Sequence, residues 1–541
     1  MTGVLPSKIN VMSHQPGNRL HSENSSDYLQ QHAEQAIHWQ PWDAIAIKQA
    51  RDENKPILLS IGYSGCHWCQ RMADDAFNDS DTIQFINDHF VSIKVDRQQR
   101  PDLDKVYQSA LQILAHQSGG WPLTIFLTPE EQTPFFGGTY FPSQPQDTLP
   151  AFKQILQQVH DFFKNHRDEI EAQNKELLAF FASANKPALF SKDELSTLPI
   201  DNCRRQLNNT IDHVNGGLKG TPKFFHTSTW SFLLLRHHHS KTQQREDNEA
   251  LNHVISTLNH IAEGGIYDHA NGGFFRYALD EAWSTPDTEK TLYDNALLLS
   301  LYSQVQTQAP NPNYRNLVLE TGHWLMNEMQ APDGGYYTSW NNDQYNKTVL
   351  CAWHTLAIKG MLQGGKTLNH NEFYDSAYRA IDFAYQNFWR DNKLYTYYAN
   401  HQARVPAYSD DYACFIDALV TALQVRWNDD YFQLALDLAY QLLELFEDTH
   451  NGGLYYSAIE HHTPVFRPKI FSDDALPSSN GVATLALLRL SRLSNDQTLY
   501  NAAERILRAA WPHMNEYPDA HCSMLNALDE YLYPNKSNIL E

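Results

Sequence analysis

The apolar positions of this chain fall into two textures that change near residue 200. Up to Pro142, short apolar runs alternate with stretches of helical spacing. Pro56–Ile61 (PILLSI), Phe90–Val95 (FVSIKV) and Pro122–Leu127 (PLTIFL) are bounded and largely continuous, the pattern of strands buried on both faces, and Phe135–Phe141 makes a fourth. Between and around them, Glu34–Asn54 reads as an amphipathic helix carrying Trp39, Trp42, Ala46 and Ala50. Gln70–Phe77 continues a helix that opens after the first strand. Asp102–His116 places Leu103, Val106, Tyr107, Ala110, Leu111 and Leu114 on one face. Leu149–Ala184 is a long helical stretch, broken by Asn185-Lys186-Pro187 and a polar linker to about Pro199. Such alternation predicts an α/β domain over residues 1–185 and a linker over 186–199.

Residues 200–541 read differently. Long helical patterns are punctuated by a small motif, Gly-Gly or its equivalent followed by aromatics. It occurs as Asn215-Gly216-Gly217, Asn271-Gly272-Gly273-Phe274-Phe275, Asp333-Gly334-Gly335-Tyr336-Tyr337, Asp391-Asn392-Lys393-Leu394-Tyr395 and Asn451-Gly452-Gly453-Leu454-Tyr455-Tyr456. Measured from Gly217 through Gly273, Gly335, Lys393 and Gly453, the steps are 56, 62, 58 and 60 residues. That period is too long for common solenoid repeats but fits two helices and two loops. Nearly six such units predict a ring of helical hairpins, an (α/α)6 toroid. The expected whole is a multidomain α/β plus all-α protein.

Length agrees: 541 residues exceed what one ordinary core accommodates. A net charge of -22 repels polyanions, which argues against nucleic acid as a partner. Met1–Leu20 is polar and lacks the apolar centre of a signal peptide. The longest oily run, Gly481–Leu490, is far shorter than a membrane span, so no membrane association and a cytoplasmic location are expected. Six cysteines in a chain this long do not form a disulfide framework. Cys203, Cys351, Cys414 and Cys522 are expected to be buried small apolar residues, and His237-His238-His239 a solvated surface run.

Only Cys66 and Cys69 are close in sequence. They follow a predicted strand and open a predicted helix, where the helix dipole and free N–H groups favour a thiolate at Cys66. Cys69, one turn on, can attack a mixed disulfide formed at Cys66, which makes Cys66 the expected nucleophile and Cys69 the resolving thiol. His67, protonated, would stabilise the thiolate; Trp68 would shield the sulfurs. Zinc also uses this spacing but needs two more ligands. His89 and His116 are the nearby histidines, and the domain holds no second CxxC or CxxH, so no metal and no cofactor are expected. A structural thiol pair is the remaining alternative. Gly119-Gly120-Trp121-Pro122 leads the third strand, the place where the thioredoxin fold keeps a cis-proline beside its dithiol; Pro122 is the candidate.

In the second half, polar and aromatic residues cluster after the Gly-Gly turns. Tyr267, Asp268, Arg276, Tyr277, Asp280 and Trp283 form one group; Glu289, Lys290, Tyr293, Asp294 and Asn295 a second. Trp353-His354, Asp410-Asp411-Tyr412 and Ser478-Ser479-Asn480 follow. If the repeats align, these gather at one mouth of the ring and offer stacking faces with carboxylates, as a sugar site requires. Glycoside hydrolysis would use Asp294 with Asp410 or Asp411, and epimerisation could use His354 and Glu289. The competing reading is that these residues are hydrogen-bonded ties between inner helices, Asp294-Asn295 above all.

The chain resembles a family of uncharacterised bacterial and animal proteins grouped with the spermatogenesis-associated thioredoxin-domain protein. The resemblance rests on Lys55–Tyr63 (KPILLSIGY), Cys66–Cys69 (CHWC), Val91–Arg97 (VSIKVDR), Gly119–Thr124 (GGWPLT) and Phe136–Pro142 (FGGTYFP). It extends through Gly272-Gly273-Phe274, Leu292–Asn295 (LYDN) and Pro477–Asn480 (PSSN). It implies a thioredoxin-like domain followed by a six-hairpin glycosidase-like toroid. The chain departs from the family pattern at Gln70, where a histidine is usual. At Pro286–Thr291 (PDTEKT) members tend to read Pro-His-Phe-Glu-Lys-Met, and at Trp353-His354-Thr355 they tend to carry Trp-Asn-Gly. Ser60 stands where efficient thioredoxins often keep a buried acid. Three functions follow as expectations: a thiol–disulfide oxidoreductase or redox sensor acting on a protein thiol or disulfide; a carbohydrate-active enzyme taking a small sugar-like ligand; or a binding scaffold.

Overall fold

The computed structural model describes residues 17–534, apart from 24–25, 117–118, 147–148, 185–193, 243–246 and 343. The chain divides into two compact units, Met1–Leu178 and Ala179–Glu541. The Asn185-Lys186-Pro187 break and the first part of the expected linker lie outside the described residues.

The first unit runs α1 (Asp27–Gln31), α2 (Ala44–Glu53), β1 (Ile57–Gly62), α3 (His67–Asp74), α4 (Ser80–His89), β2 (Val91–Asp96), α5 (Pro101–Ala115), β3 (Leu123–Leu127), β4 (Pro134–Gly138), α6 (Phe152–Asn165) and α7 (Arg167–Ala184), which reaches past its end. The sheet order is β2-β1-β3-β4. β1 and β2 are parallel, Ile57 opposite Val91 through Gly62 opposite Asp96, and β3 and β4 are antiparallel additions. β1, β2 and β3 are buried at every residue, which is why their sequences are nearly continuous apolar runs. The arrangement is that of a thioredoxin fold.

Two helical spans differ from the pattern-based reading. The helix expected from Glu34 starts only at Ala44, capped by the Asp43 side chain, which accepts the Ala46 N–H. Pro41 biases Gln40 away from helix, and Gln40 instead extends the sheet: its N–H donates to Ser92 O and its carbonyl accepts from Lys94 N. The stretch from Leu149 is two helices, broken at His166, whose backbone leaves the helical region.

The second unit contains α8 (Leu198–Thr210), α9 (Thr227–Thr242), α10 (Asn248–Glu263), α11 (Leu292–Gln308), α12 (Pro312–Trp324), α13 (Cys351–Leu368), α14 (Asn371–Asn387), α15 (Ser409–Val425), α16 (Asp429–Phe446), α17 (Ser479–Ser494), α18 (Gln497–Glu516) and α19 (Cys522–Leu532). The odd-numbered helices α9 to α19 pack each against the next, and α19 returns to α9, closing an inner ring; the even-numbered helices pack outside it. Burial follows. Inner α15 is buried at nearly every position, whereas outer α16 buries a stripe of Leu434, Ala435, Leu438, Ala439, Leu442 and Phe446. This is the (α/α)6 toroid.

The ring closes between its first and last helices. Cys203 of α8 and Cys522 of α19 lie with their sulfurs 3.9 Å apart, and Asp529 of α19 takes Arg236 and His239 of α9, the latter at 2.6 Å. His237 and His239 are therefore buried parts of a helix rather than a solvated run. All four cysteines outside the dithiol are buried.

Small strands cover one end of the ring. β5 (Glu289–Thr291), β6 (Ser339–Asn341) and β7 (Gln344–Asn346) form one sheet; β8 (Val349–Leu350), β9 (Trp389–Arg390), β10 (Lys393–Ala399) and β11 (Gln402–Pro406) pair around β10.

Three of the spaced turns share one construction. In the second, the Asp268 carboxylate accepts from Ala270 N and Asn271 N, and Lys290 Nζ donates to it at 2.7 Å and to Gly272 O at 2.8 Å. Gly272 and Gly273 have φ of +76° and +77°, and a Cβ on Gly273 would meet the Trp324 ring at 2.9 Å, so glycine is required there. Asp212 with Lys223 and Asp448 with Lys469 repeat the lock. The following inner helix adds a tie: Asn295 bonds both the N–H and the C=O of Phe274, and Asn480 does the same for Leu454. The Asp391-Asn392 motif is instead the two-residue turn of the β9–β10 hairpin.

Candidate functional site

The dithiol lies just beyond the C-terminal end of β1. Cys66 is the N-cap of α3, with extended backbone geometry, and its sulfur accepts the Cys69 N–H at 3.2 Å. Cys66 and Cys69 are joined as a disulfide, their Cα atoms 5.2 Å apart. Both sulfur-bearing residues are buried while Trp68 is 47% exposed, so the motif presents an aromatic cover. The Trp68 ring lies 5.0 Å from Tyr140, and the Arg71 guanidinium sits over both rings.

Pro122 follows a cis Trp121–Pro122 bond. The β1–β3 register sets Ile61 opposite Leu123, which puts Pro122 at the end of β1 from which the CxxC loop departs. Trp121 is held firmly: its indole N–H donates to Asp104 at 2.8 Å, the Arg97 guanidinium stacks 3.8 Å from its ring centroid, and Tyr63 packs edge-on. Gln108 grips both the N–H and the C=O of Gly120 just before it.

Beneath the dithiol is a buried polar group that the sequence reading did not single out. Lys94 is fully enclosed; its Nζ donates to Ser60 Oγ at 3.1 Å and lies over the Trp39, Phe77 and Tyr28 rings. Burial pushes this amine down to about 7, because a charged ammonium loses its hydration there. Tyr28 reaches the dithiol. A Cβ on Gly62 would lie 2.3 Å from the Tyr28 hydroxyl and 2.8 Å from Cys69 Sγ, so phenol and sulfur crowd the same point. Burial, helped by nearby Asp96, holds Tyr28 well above the ordinary phenol range. Asp96 accepts from Ser26 Oγ at 2.7 Å and Gln98 N at 2.8 Å, yet burial still raises it to about 6. The available signal was Lys94 and Asp96 themselves, two charges inside a strand otherwise written as core.

In the toroid inner and outer helices alternate along the chain from α8 to α19, so the inner helices start at one end of the ring. Six candidates gather there. Arg276 pairs with Glu289 at 3.2 Å. Asp294, in the first turn of α11, is buried beside that pair; burial pushes its carboxyl up to about 7, against the pull of the Thr291 hydroxyl bond and Arg276. Tyr293 and Trp353 meet edge to face at 4.7 Å. Asp410 accepts the Tyr456 hydroxyl at 3.0 Å.

The other candidates are spent on architecture. Asp268 is the turn lock and Asn480 the tie already described. Trp283 is fully buried against Phe225, its N–H donating to Asn215 O at 3.0 Å. The Tyr267 hydroxyl donates to Glu320 on outer α12. Asp411 accepts Tyr408 N and Ala352 N, each at 2.9 Å, fastening the starts of α15 and α13. His354 is wholly buried: Tyr336 N donates to Nδ1 at 3.2 Å and Nε2 pairs with Ala380 O at 2.8 Å. It does for the third turn what Asn295 and Asn480 do for theirs, and burial lowers it to about 4.

This geometry defines a two-part class, a thioredoxin-like domain with a CxxC dithiol joined to an (α/α)6 toroid. Residues 17–182 match the model of the Thioredox_DsbH family, described as a protein of unknown function, DUF255. Two curated relatives extend the likeness. An uncharacterized protein of Caenorhabditis elegans is 33% identical over 368 residues, 66% of this chain and 49% of that protein. Spermatogenesis-associated protein 20 of Homo sapiens is 37% identical over 339 residues, 60% of this chain and 41% of that protein. The matches thus span less than half of either relative. Among solved structures, a D-mannose isomerase shares the fold with a TM-score of 0.51 at 14% identity, over 64% of this chain and 99% of that one. The cellobiose 2-epimerase of Spirochaeta thermophila DSM 6192 also gives 0.51 at 14% identity, over 63% and 96%. Among the described residues, no helix is long and apolar enough to cross a membrane.

Proposed function

We propose that this protein is a thiol–disulfide oxidoreductase acting through Cys66 and Cys69, with the toroid as a surface for its partner. The observation that carries the reading is Cys66 capping α3 at the end of β1, its sulfur receiving a backbone N–H, with Pro122 at the same strand end. Donors aimed at the sulfur favour the thiolate once the pair is reduced. In the reducing direction the Cys66 thiolate attacks a sulfur of the partner's disulfide, and the other partner sulfur leaves as a thiolate. The Cys69 thiolate then attacks Cys66 Sγ, and the partner leaves with both sulfurs reduced. The two electrons come from the dithiol, which ends as the Cys66–Cys69 disulfide. A Cys69→Ala variant should accumulate mixed disulfides with partner proteins, and a glutathione titration should show one two-electron couple. A Cys66 that forms no adduct in that variant would refute the reading.

A second reading has its own support. Burial raises the Asp294 carboxyl to about 7, so it titrates near neutrality, beside the Arg276–Glu289 pair and with the Tyr293 and Trp353 rings close by. An acid that titrates near neutrality, flanked by aromatic faces, suits a small sugar-like ligand. Thermal-shift screening of monosaccharides and disaccharides against wild type and Asp294→Asn tests it. A ligand that stabilises wild type but not the variant supports the reading, and none that stabilises either rejects it.

A further inference from the structure

We propose that His323, His370 and Glu372 form a zinc-class metal site on the outer wall of the toroid, joining its α11–α12 and α13–α14 hairpins. His323 lies in the last turn of α12, His370 is the N-cap of α14, and Glu372 is in the first turn of α14. One ligand atom from each lies within 4.8 Å of the others. Two imidazoles and a carboxylate, drawn from two helices, make a donor set that zinc accepts with water completing its shell.

Three features set the cluster apart from a chance meeting of polar side chains. The first is His370 Nδ1, buried with no hydrogen-bond partner among the described residues, although buried ring nitrogens ordinarily find one. The second is the floor of the site. Phe373 packs against both imidazoles, with centroids 4.5 Å from His370 and 5.6 Å from His323, and Gly322 has no room for a Cβ, which would meet the Phe373 ring at 2.2 Å. The rings are thereby held edge to face, their centroids 5.5 Å apart. The third is the unequal freedom of the donors. The histidines are partly buried and Glu372 is exposed, so the flexible carboxylate can close onto an ion that the rings position. Zinc–ligand bonds of about 2.0–2.1 Å set tetrahedral donors roughly 3.3 Å apart, so donors within 4.8 Å of one another close by up to about 1.5 Å, chiefly through rotation of the exposed Glu372 side chain.

The donor chemistry selects the ion. Imidazole nitrogens favour zinc and its late transition-metal neighbours over magnesium and calcium, which take oxygen ligands. The position selects the role. His323 and His370 lie on neighbouring outer helices, α12 and α14, so the ion would cross-link their hairpins.

The test uses the full chain with the Cys66–Cys69 pair kept oxidised, so that the dithiol cannot compete for metal. Chelator-stripped protein is titrated with zinc chloride by calorimetry, alongside thermal unfolding. One zinc per chain, a raised Tm, and no comparable response to magnesium or calcium are expected. His370→Ala should weaken binding at least tenfold. Glu372→Gln, at an exposed position, should weaken it while leaving the metal-free Tm unchanged. Cobalt substitution should give visible bands that His323→Gln alters. A wild-type isotherm indistinguishable from that of Glu372→Gln and His370→Ala would overturn the proposal. So would an absence of zinc binding to the wild type. Both outcomes are independent of whether the dithiol is redox-active.

Discussion

Replacing Lys94 by methionine tests the electrostatics beneath the dithiol most directly. In the folded protein this amine sits at about 7, against an ordinary 10.5. Below pH 7 both folded and unfolded chains hold the proton, and the fold bears the full cost of burying a charge. Between 7 and 10.5 the unfolded chain holds a proton that the folded one has released, so stability rises with pH across that window. The slope is about 1.4 kcal/mol per pH unit, or roughly 4 kcal/mol from pH 7 to 10. Methionine carries no proton, so Lys94→Met should be favoured over wild type at pH 6 and lose that advantage steadily above 7. Tyr28 and Asp96 are common to both proteins, and His32, held down by burial and by the Lys94 charge, responds to the substitution at acid pH, so the slope above pH 7 is the part that reports Lys94. Hydrogen exchange followed by mass spectrometry on the β1 and β2 amides of the full chain gives local opening free energies at each pH. Ser60→Asp is the complementary variant: an acid beside Nζ should hold the lysine charged and shift the slope to higher pH. A wild-type minus Lys94→Met difference that stays flat from pH 6 to 9 would refute a neutral buried amine.

Other predictions follow from the same geometry. Gly62→Ala should destabilise the first unit by about 1–3 kcal/mol through overpacking, and Gly62→Ala/Tyr28→Phe should recover part of the loss by removing the hydroxyl, read by thermal unfolding. Lys290→Met leaves Asp268 without its cation and should cost the toroid about 1–3 kcal/mol in chemical denaturation. His354, at about 4 when folded against 6.5 unfolded, makes the folded chain hold fewer protons between those values. It should add about 3 kcal/mol of stability as pH rises from 4 to 6.5, lost again on acidification, and His354→Asn should abolish that dependence.

The fold of the first unit was open to reading because its strands are buried on both faces. Continuous apolar runs then mark them, and CxxC with Trp121-Pro122 fixes their order around the dithiol. Helix boundaries were less legible. The Glu34–Asn54 pattern is amphipathic by spacing, but Pro41 and the sheet's demand for the Gln40 backbone stop the helix at Ala44. Lys94 escaped notice for a related reason: its strand reads as core, and only the packed structure shows that its charge has no carboxylate opposite it.

The toroid shows why its candidate residues could not be sorted by sequence. Its units repeat a physical requirement rather than a residue: after three of the Gly-Gly turns, the backbone takes a buried partner from the next inner helix. Asn295 and Asn480 meet it with a side-chain amide, whereas His354 meets it with one ring nitrogen and turns the other to Ala380. A histidine beside a tryptophan therefore looks like a proton-transfer group while carrying an asparagine's duty, and its fully buried ring cannot meet a ligand. The same logic runs the other way at Asp294. It lies one position before the tie residue Asn295, so its neighbour makes the helix-fastening bonds and its own carboxyl is turned to Thr291, Arg276 and Glu289. Within the Asp294-Asn295 pair, architecture and chemistry are divided between adjacent residues. That division makes Asp294→Asn the substitution that can separate a sugar-binding ring from a scaffold, since it removes the proton and leaves the fastening intact.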